Sequence, residues 1–305
     1  MTVIDDDHAL DSVEPDRRRR AVARFVAAAM FCLLSLLVLT GVFVETRAGQ
    51  RIDDGALRGR VVQHGRTAER SDRLLQTISV GSLTFFGISL VGIALVRGRW
   101  NLAVGVAAVI AGSNITTQVY KSLVDRPHLV GGVNNLIPFN TLPSGHSTVA
   151  ASLAAALVLV APIRLRALAA TFGALYACGI AAMTLAAGWH RPSDAVSAFA
   201  VVGIWTFGAG AVLVRIRGTG SPRVHEGLPG LLIGMIAVLA LAFGVITVST
   251  TIDTANGLHA VRLGLAYVVA LASIVAVGVV FIVTEVLLLR GISLDAPRRD
   301  RSAWT

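Results

Sequence analysis

Residues 143–163 read PSGHSTVAASLAAALVLVAPI. After His146 no ionisable side chain occurs until Arg164. Wound as a helix at about 1.5 Å per residue, such a run approaches the roughly 30 Å of hydrocarbon in a bilayer. The stretch therefore reads as a membrane-crossing helix opened by a polar turn. In that turn Ser144 is a natural N-cap, and taken alone the four residues Pro143 to His146 need be no more than a cap and a loop. A helix N-terminus also presents unpaired N–H groups to anions, and Gly145 lets a ligand come close to the backbone. Ser144 adds a hydroxyl donor, and His146 a proton that can be transferred.

Similar runs recur along the chain, at about 25–44, 75–96, 102–120, 146–163, 167–187, 194–214, 229–250 and 263–284. With 54% hydrophobic residues, 15% charged residues and a mean hydropathy of +0.72, the 305-residue chain is too apolar for a soluble domain. The expected fold is all-α and integral to the membrane, with about eight transmembrane helices. A charged leader occupies 1–20, a core 21–217, two further helices 218–290 and a tail 291–305. Leader and tail are polar enough that disorder is expected in both. Cys32 and Cys178 both fall inside apolar runs and suggest neither a disulfide framework nor a thiolate metal site.

The net charge of +9 comes from 26 arginines and one lysine, against 18 acidic residues. Most of this charge flanks helices, so it points to membrane orientation and not to nucleic acid. With the N-terminus inside, 16 of the 27 basic residues are cytoplasmic, and seven of the rest lie in one outer loop at 45–74 beside five acidic residues. Both termini are then cytoplasmic. The polar stretches at 125–143, 189–193 and 253–259 face outward.

Two more motifs fall on that outer side. Lys121, the only lysine, ends the third span and is followed by Arg126-Pro127. A compact ammonium there suits a phosphate, although an interfacial snorkelling cation is an equal reading of Lys121 by itself. Gly188-Trp-His-Arg-Pro-Ser-Asp194 precedes the sixth span. The i, i+4 spacing of His190 and Asp194 would set both on one helical face, so that the carboxylate holds one imidazole nitrogen and leaves the other free to attack. Plain capping by Ser193 and Asp194, with Trp189 and His190 in an interfacial belt, is the simpler alternative.

Taken together and in this order, the three motifs resemble the signature of the type 2 phosphatidic acid phosphatase superfamily, which also includes vanadium haloperoxidases and bacterial isoprenyl pyrophosphate phosphatases. The resemblance covers roughly 75–214 and implies a six-helix core, so that the last two helices are an addition. It implies that His190 is a nucleophile forming a phosphohistidine, Asp194 its orienting partner and His146 the acid for the leaving oxygen. Lys121, Arg126, Ser144 and the Gly145 backbone would hold phosphate oxygens, with no metal or organic cofactor. Two departures stand out. Four residues, not six, separate Lys121 from Arg126, and His128-Leu129 stands where a second Arg-Pro is common. The Ser-Arg expected before the nucleophile is Met183-Thr184. A neighbouring cation should then replace the missing guanidinium, with Arg191 the first candidate and His128 the second.

The expected activity is hydrolysis of a lipid phosphate or isoprenyl pyrophosphate at the outer face of a membrane, that of a bacterial cell by resemblance. The motifs read phosphate and leave the lipid tail open. Two alternatives remain. One is an impaired relative that binds lipid phosphate as an accessory protein, favoured by Met183-Thr184. The other is a transporter lined by Ser113, Asn114, Thr116, Thr117 and Gln118.

Overall fold

The computed structural model describes residues 5–60, 70–73, 75, 76, 80–130, 137, 139–219, 257–292 and 294. Among these every regular element is helical: α1 Asp5–Phe43, α2 Arg47–Gly59, α3 Val80–Val96, α4 Trp100–Leu123, α5 Gly145–Val160, α6 Arg166–Ala187, α7 Pro192–Arg217 and α8 Gly257–Leu288. The all-α expectation holds. Among the described residues five helices are long and apolar enough to cross a membrane: α1, α4, α7, α8 and α6 with the short turn before it. Segments of α3 and α5 are apolar but shorter. The span expected at 229–250 lies outside the described residues, as does Asp253 in the last outer turn.

α1 lies along α7, α5 along α6, and α8 against α2, α6 and α7. Alanines dominate the contact between α5 and α6, among them Ala151, Ala154, Ala170, Ala174 and Ala177, and a Cβ on Gly173 would stand 3.1 Å from that of Ala154. Small residues are what allow helices to approach closely where lipid supplies no hydrophobic drive for association. Large apolar side chains are displayed outward instead, including Phe31 and Leu34 on α1, Phe85 and Phe86 on α3, and Phe172 on α6. Such a surface fits an integral membrane protein.

Polar residues of α4 serve the packing between helices. The helix contains a π-helical turn, Ala108–Gly112, where a Cβ on Gly112 would meet the Trp205 ring at 2.6 Å. One turn on, Trp205 Nε1 donates to Thr116 Oγ1 (3.0 Å), Thr117 and Thr148 share a hydroxyl hydrogen bond (2.9 Å), and Ser113 Oγ donates back to Val109 O.

One sequence expectation needs correction. The leader is helical from Asp5 onward, because a membrane helix already formed propagates outward at little cost. Of the tail only residues 291, 292 and 294 are described: Ile292 and Leu294 are buried, and their carbonyls accept from Arg166 (3.4 Å) and Arg217 (3.3 Å), while the disorder expected for the rest lies outside the described residues. At that same end of the bundle, Arg97 Nη1 donates to Val160 O, closing the C-terminus of α5. The histidine motifs lie at the opposite end.

Candidate active site

Four elements converge at the histidine end: the last turn of α4, the segment after it, the N-terminus of α5 and the turn between α6 and α7. Ser144 caps α5, its Oγ accepting from Ser147 N (3.3 Å) and Ser147 Oγ (2.9 Å). With both contacts accepted, the Ser144 hydroxyl proton remains to be donated. Its backbone N donates to Asp194 O at 2.8 Å, which fastens the two motif turns together. Gly145 opens toward α4: a Cβ there would lie 3.7 Å from Lys121 Nζ and 3.6 Å from Gln118 Nε2.

The second turn begins where α6 ends at Gly188, in the left-handed region at φ +78°. The positive φ favours glycine, and a Cβ would also displace the Arg60 guanidinium, which donates to Ala187 O. Trp189 N and His190 N then both donate to Thr184 O, at 3.0 and 3.3 Å. Trp189 is fixed further by donating Nε1 to Asp72 Oδ1 (3.0 Å), and its ring lies 5.1 Å from that of His146.

His190 Nδ1 lies 3.2 Å from Asp194 Oδ2, and the two rings of His190 and His146 are 6.4 Å apart. The pairing does not arise from a shared helical face, because α7 starts at Pro192 and His190 precedes it. Asp194, in the first turn, reaches back as an N-terminal cap, and the same Oδ2 accepts from Arg191 N (2.8 Å) and Thr141 Oγ1 (2.5 Å). The buried carboxylate is thereby held in one orientation, and the second imidazole nitrogen is left clear of it.

Cations surround these histidines unequally. Arg126 has a side chain only 5% exposed, and among the described residues neither Nη1 nor Nη2 has a hydrogen-bond partner. Arg191 is equally buried but bonded through all three nitrogens: Nε to Asp54 Oδ1 (2.9 Å), Nη2 to Ile137 O (2.7 Å) and Nη1 to Thr141 Oγ1 (3.5 Å). His128 is exposed in the segment after α4. At the position of the absent family arginine, Thr184 is buried and its Oγ1 donates to Ala181 O.

Residues 100–217 match the family model of the PAP2 superfamily. This agrees with the resemblance read from the motifs, and it covers α4 to α7, which carry Lys121, His146 and Asp194, with the turn that holds His190. No curated protein and no solved structure matches the chain. The PAP2 match points to a phosphatase acting on lipid-type substrates.

The matched segment leaves out α2 as well as Asp72. The buried α2 positions Gly49, Gln50, Asp53, Ala56 and Leu57 form one stripe, and from them Asp53 accepts from Ser193 N and Oγ. In the sequence, residues 45–74 read only as a loop of mixed charge. Thr46, which caps α2 by accepting from Gly49 N, and the three-to-four spacing that follows it are the signals that could have revealed the helix.

Proposed function

We propose that the protein removes phosphate from a membrane lipid phosphate or pyrophosphate through a covalent histidine intermediate. The observation that carries this reading is the pairing of His190 with a buried Asp194, 6.4 Å across from a second histidine and beside a guanidinium whose terminal nitrogens make no hydrogen bond among the described residues.

Phosphate oxygens are bound by Lys121, by Arg126 and by the Ser144 hydroxyl and backbone N–H groups at the start of α5. The His190 nitrogen not held by Asp194 attacks phosphorus, and the bond from phosphorus to the leaving oxygen breaks. Protonated His146 gives its proton to that oxygen. A water molecule then attacks the phosphohistidine, His146 accepts the water proton, and His190 leaves phosphorus to regenerate the enzyme. The cations stabilise the charge gathered on the equatorial oxygens at both steps. Placing the site at the extracytoplasmic face follows from the arginine count, with the arginine-capped end of the bundle in the cytoplasm.

Of the α4 residues that could have lined a transport path, Thr116 and Thr117 are engaged with neighbouring helices and Ser113 bonds back to its own, which favours hydrolysis over translocation. Thr184 in place of an arginine keeps a second reading alive, a protein that binds lipid phosphate without turning it over. Purified protein in detergent, given a panel of lipid monophosphates and pyrophosphates, separates the two. Release of phosphate that is abolished by His190→Ala supports the enzyme; binding without release supports the accessory role.

A further inference from the structure

Helix α2 precedes the PAP2-matched residues, yet it touches both arms of the candidate site. Gln50 Nε2 donates to Val44 O and Pro127 O, each at 2.8 Å, and so pins α2 to the end of α1 and to the segment carrying Arg126. Asp53, next on the buried stripe, is 1% exposed. Its Oδ1 accepts from Ser193 N (3.1 Å) and its Oδ2 from Ser193 Oγ (2.5 Å), one residue before Asp194. That same Oδ2 stands 3.7 Å from Arg126 Nη2. At this separation charge attraction is substantial, but no hydrogen bond forms.

Arg126 is thus held without its donors being used. A buried guanidinium with open N–H groups is unfavourable until a ligand supplies acceptors, and a phosphate supplies them in the geometry a guanidinium prefers. Ser193 matters here as well: its two hydrogen bonds fix the Asp53 carboxylate at a position 3.7 Å from Arg126.

We propose that Asp53 is a positioning residue for the phosphate ligand, orienting Arg126 while leaving both terminal nitrogens open and registering that guanidinium against the helix that carries Asp194. The inference rests on the reading of the cluster as a phosphate site.

Elementary electrostatics gives the opposite expectation, which makes the sign of the effect decisive. Deleting a carboxylate beside an anion site lifts a repulsion and should tighten anion binding. Deleting a positioning group should weaken it. The test is titration of inorganic phosphate into the full-length protein in detergent. Asp53→Asn preserves shape and most of the Ser193 contacts, and its phosphate Kd should rise about tenfold, the worth of one well-aligned charge-assisted bond. In an Arg126→Gln background the same change should have little further effect, because Asp53 acts through Arg126. Should Asp53→Asn fail to fold, Ser193→Ala provides the second arm. It frees Asp53 Oδ2 to bond Arg126 directly, and phosphate affinity should fall severalfold. An unchanged or tighter Kd in the variant tested, or a full additive loss in the Arg126→Gln background, overturns the proposal. Wild-type protein that binds no phosphate overturns the phosphate-site reading and the proposal together, so the two failures are distinguishable.

Discussion

Arg191 Nε donates to Asp54 Oδ1 at 2.9 Å, so the guanidinium beside His190 is held by α2 and not left open to a ligand. Sequence reasoning gave Arg191 the task of replacing the missing family arginine. Its three protein bonds point instead to a role in fixing the turn of His190 against α2 and the segment at Ile137 and Thr141.

Arg191→Met should therefore act first on stability. Removing a buried, bonded cation leaves Asp54 and the Ile137 carbonyl without their donor, a loss of about 2–4 kcal/mol. Thermal unfolding in detergent should show a clear drop in melting temperature, with the phosphate Kd of the folded fraction changed little. A normal melting temperature combined with a strongly raised Kd would return Arg191 to the ligand.

Gly145→Ala gives the converse pattern. The added methyl meets only the ends of Gln118 and Lys121, at ordinary contact distances of 3.6 and 3.7 Å, so the fold should tolerate it. It would, however, occupy the space between the α5 N-terminus and the ammonium, where phosphate oxygens are proposed to sit. KM should rise about tenfold or more with the melting temperature within a degree or two of wild type. An unchanged KM would move the phosphate away from Gly145.

Much of this arrangement was legible in the sequence because its signals are local. Apolar runs gave the helices, and the three motifs gave residues that the fold brings to one end. Capping geometry was only partly legible: the i, i+4 spacing of His190 and Asp194 was seen, but the contact comes from Asp194 reaching back over the first turn of α7. Long-range partners were not legible at all. Asp53 with Ser193 and Asp54 with Arg191 are separated by 140 and 137 positions, and nothing in the local composition of residues 45–74 links them to the site. Thr141, which donates to Asp194, likewise carries no motif.

Asp53 gives a pH prediction. Burial, and next the negative charge of Asp194, push its carboxyl up to about 7, against the Ser193 hydrogen bonds and the charge of Arg126. An acid whose pKa is raised by folding binds its proton more tightly in the folded state. Its contribution to stability is complete below the unfolded value of about 3.9 and is lost as pH rises through about 7. Asp53→Asn should therefore gain in melting temperature relative to wild type as pH increases from about 4 to 7. Parallel curves over that range would show that Asp53 does not titrate there. The same ionisation supplies the charge that orients Arg126, so wild-type phosphate affinity should improve over the pH range in which stability declines.

The histidines are separable by leaving group. His190→Ala should abolish phosphate release on every substrate, since no other group in the cluster pairs an imidazole with a buried carboxylate. The protein should still fold, because the ring lies in a turn before α7 and Asp194 keeps its bonds to Arg191 N and Thr141 Oγ1. His146→Ala should leave attack by His190 possible while removing the proton for the leaving oxygen. A pyrophosphate expels a stabilised phosphate anion and needs that proton less than a lipid monophosphate, which must expel an alkoxide. The loss in kcat/KM should then be about 100-fold or more on the monophosphate and markedly smaller on the pyrophosphate. Equal losses on both substrates would remove His146 from the acid role and leave it as a packing partner of Trp189, whose ring it meets at 5.1 Å. Phosphate release retained by His190→Ala would remove the covalent mechanism altogether.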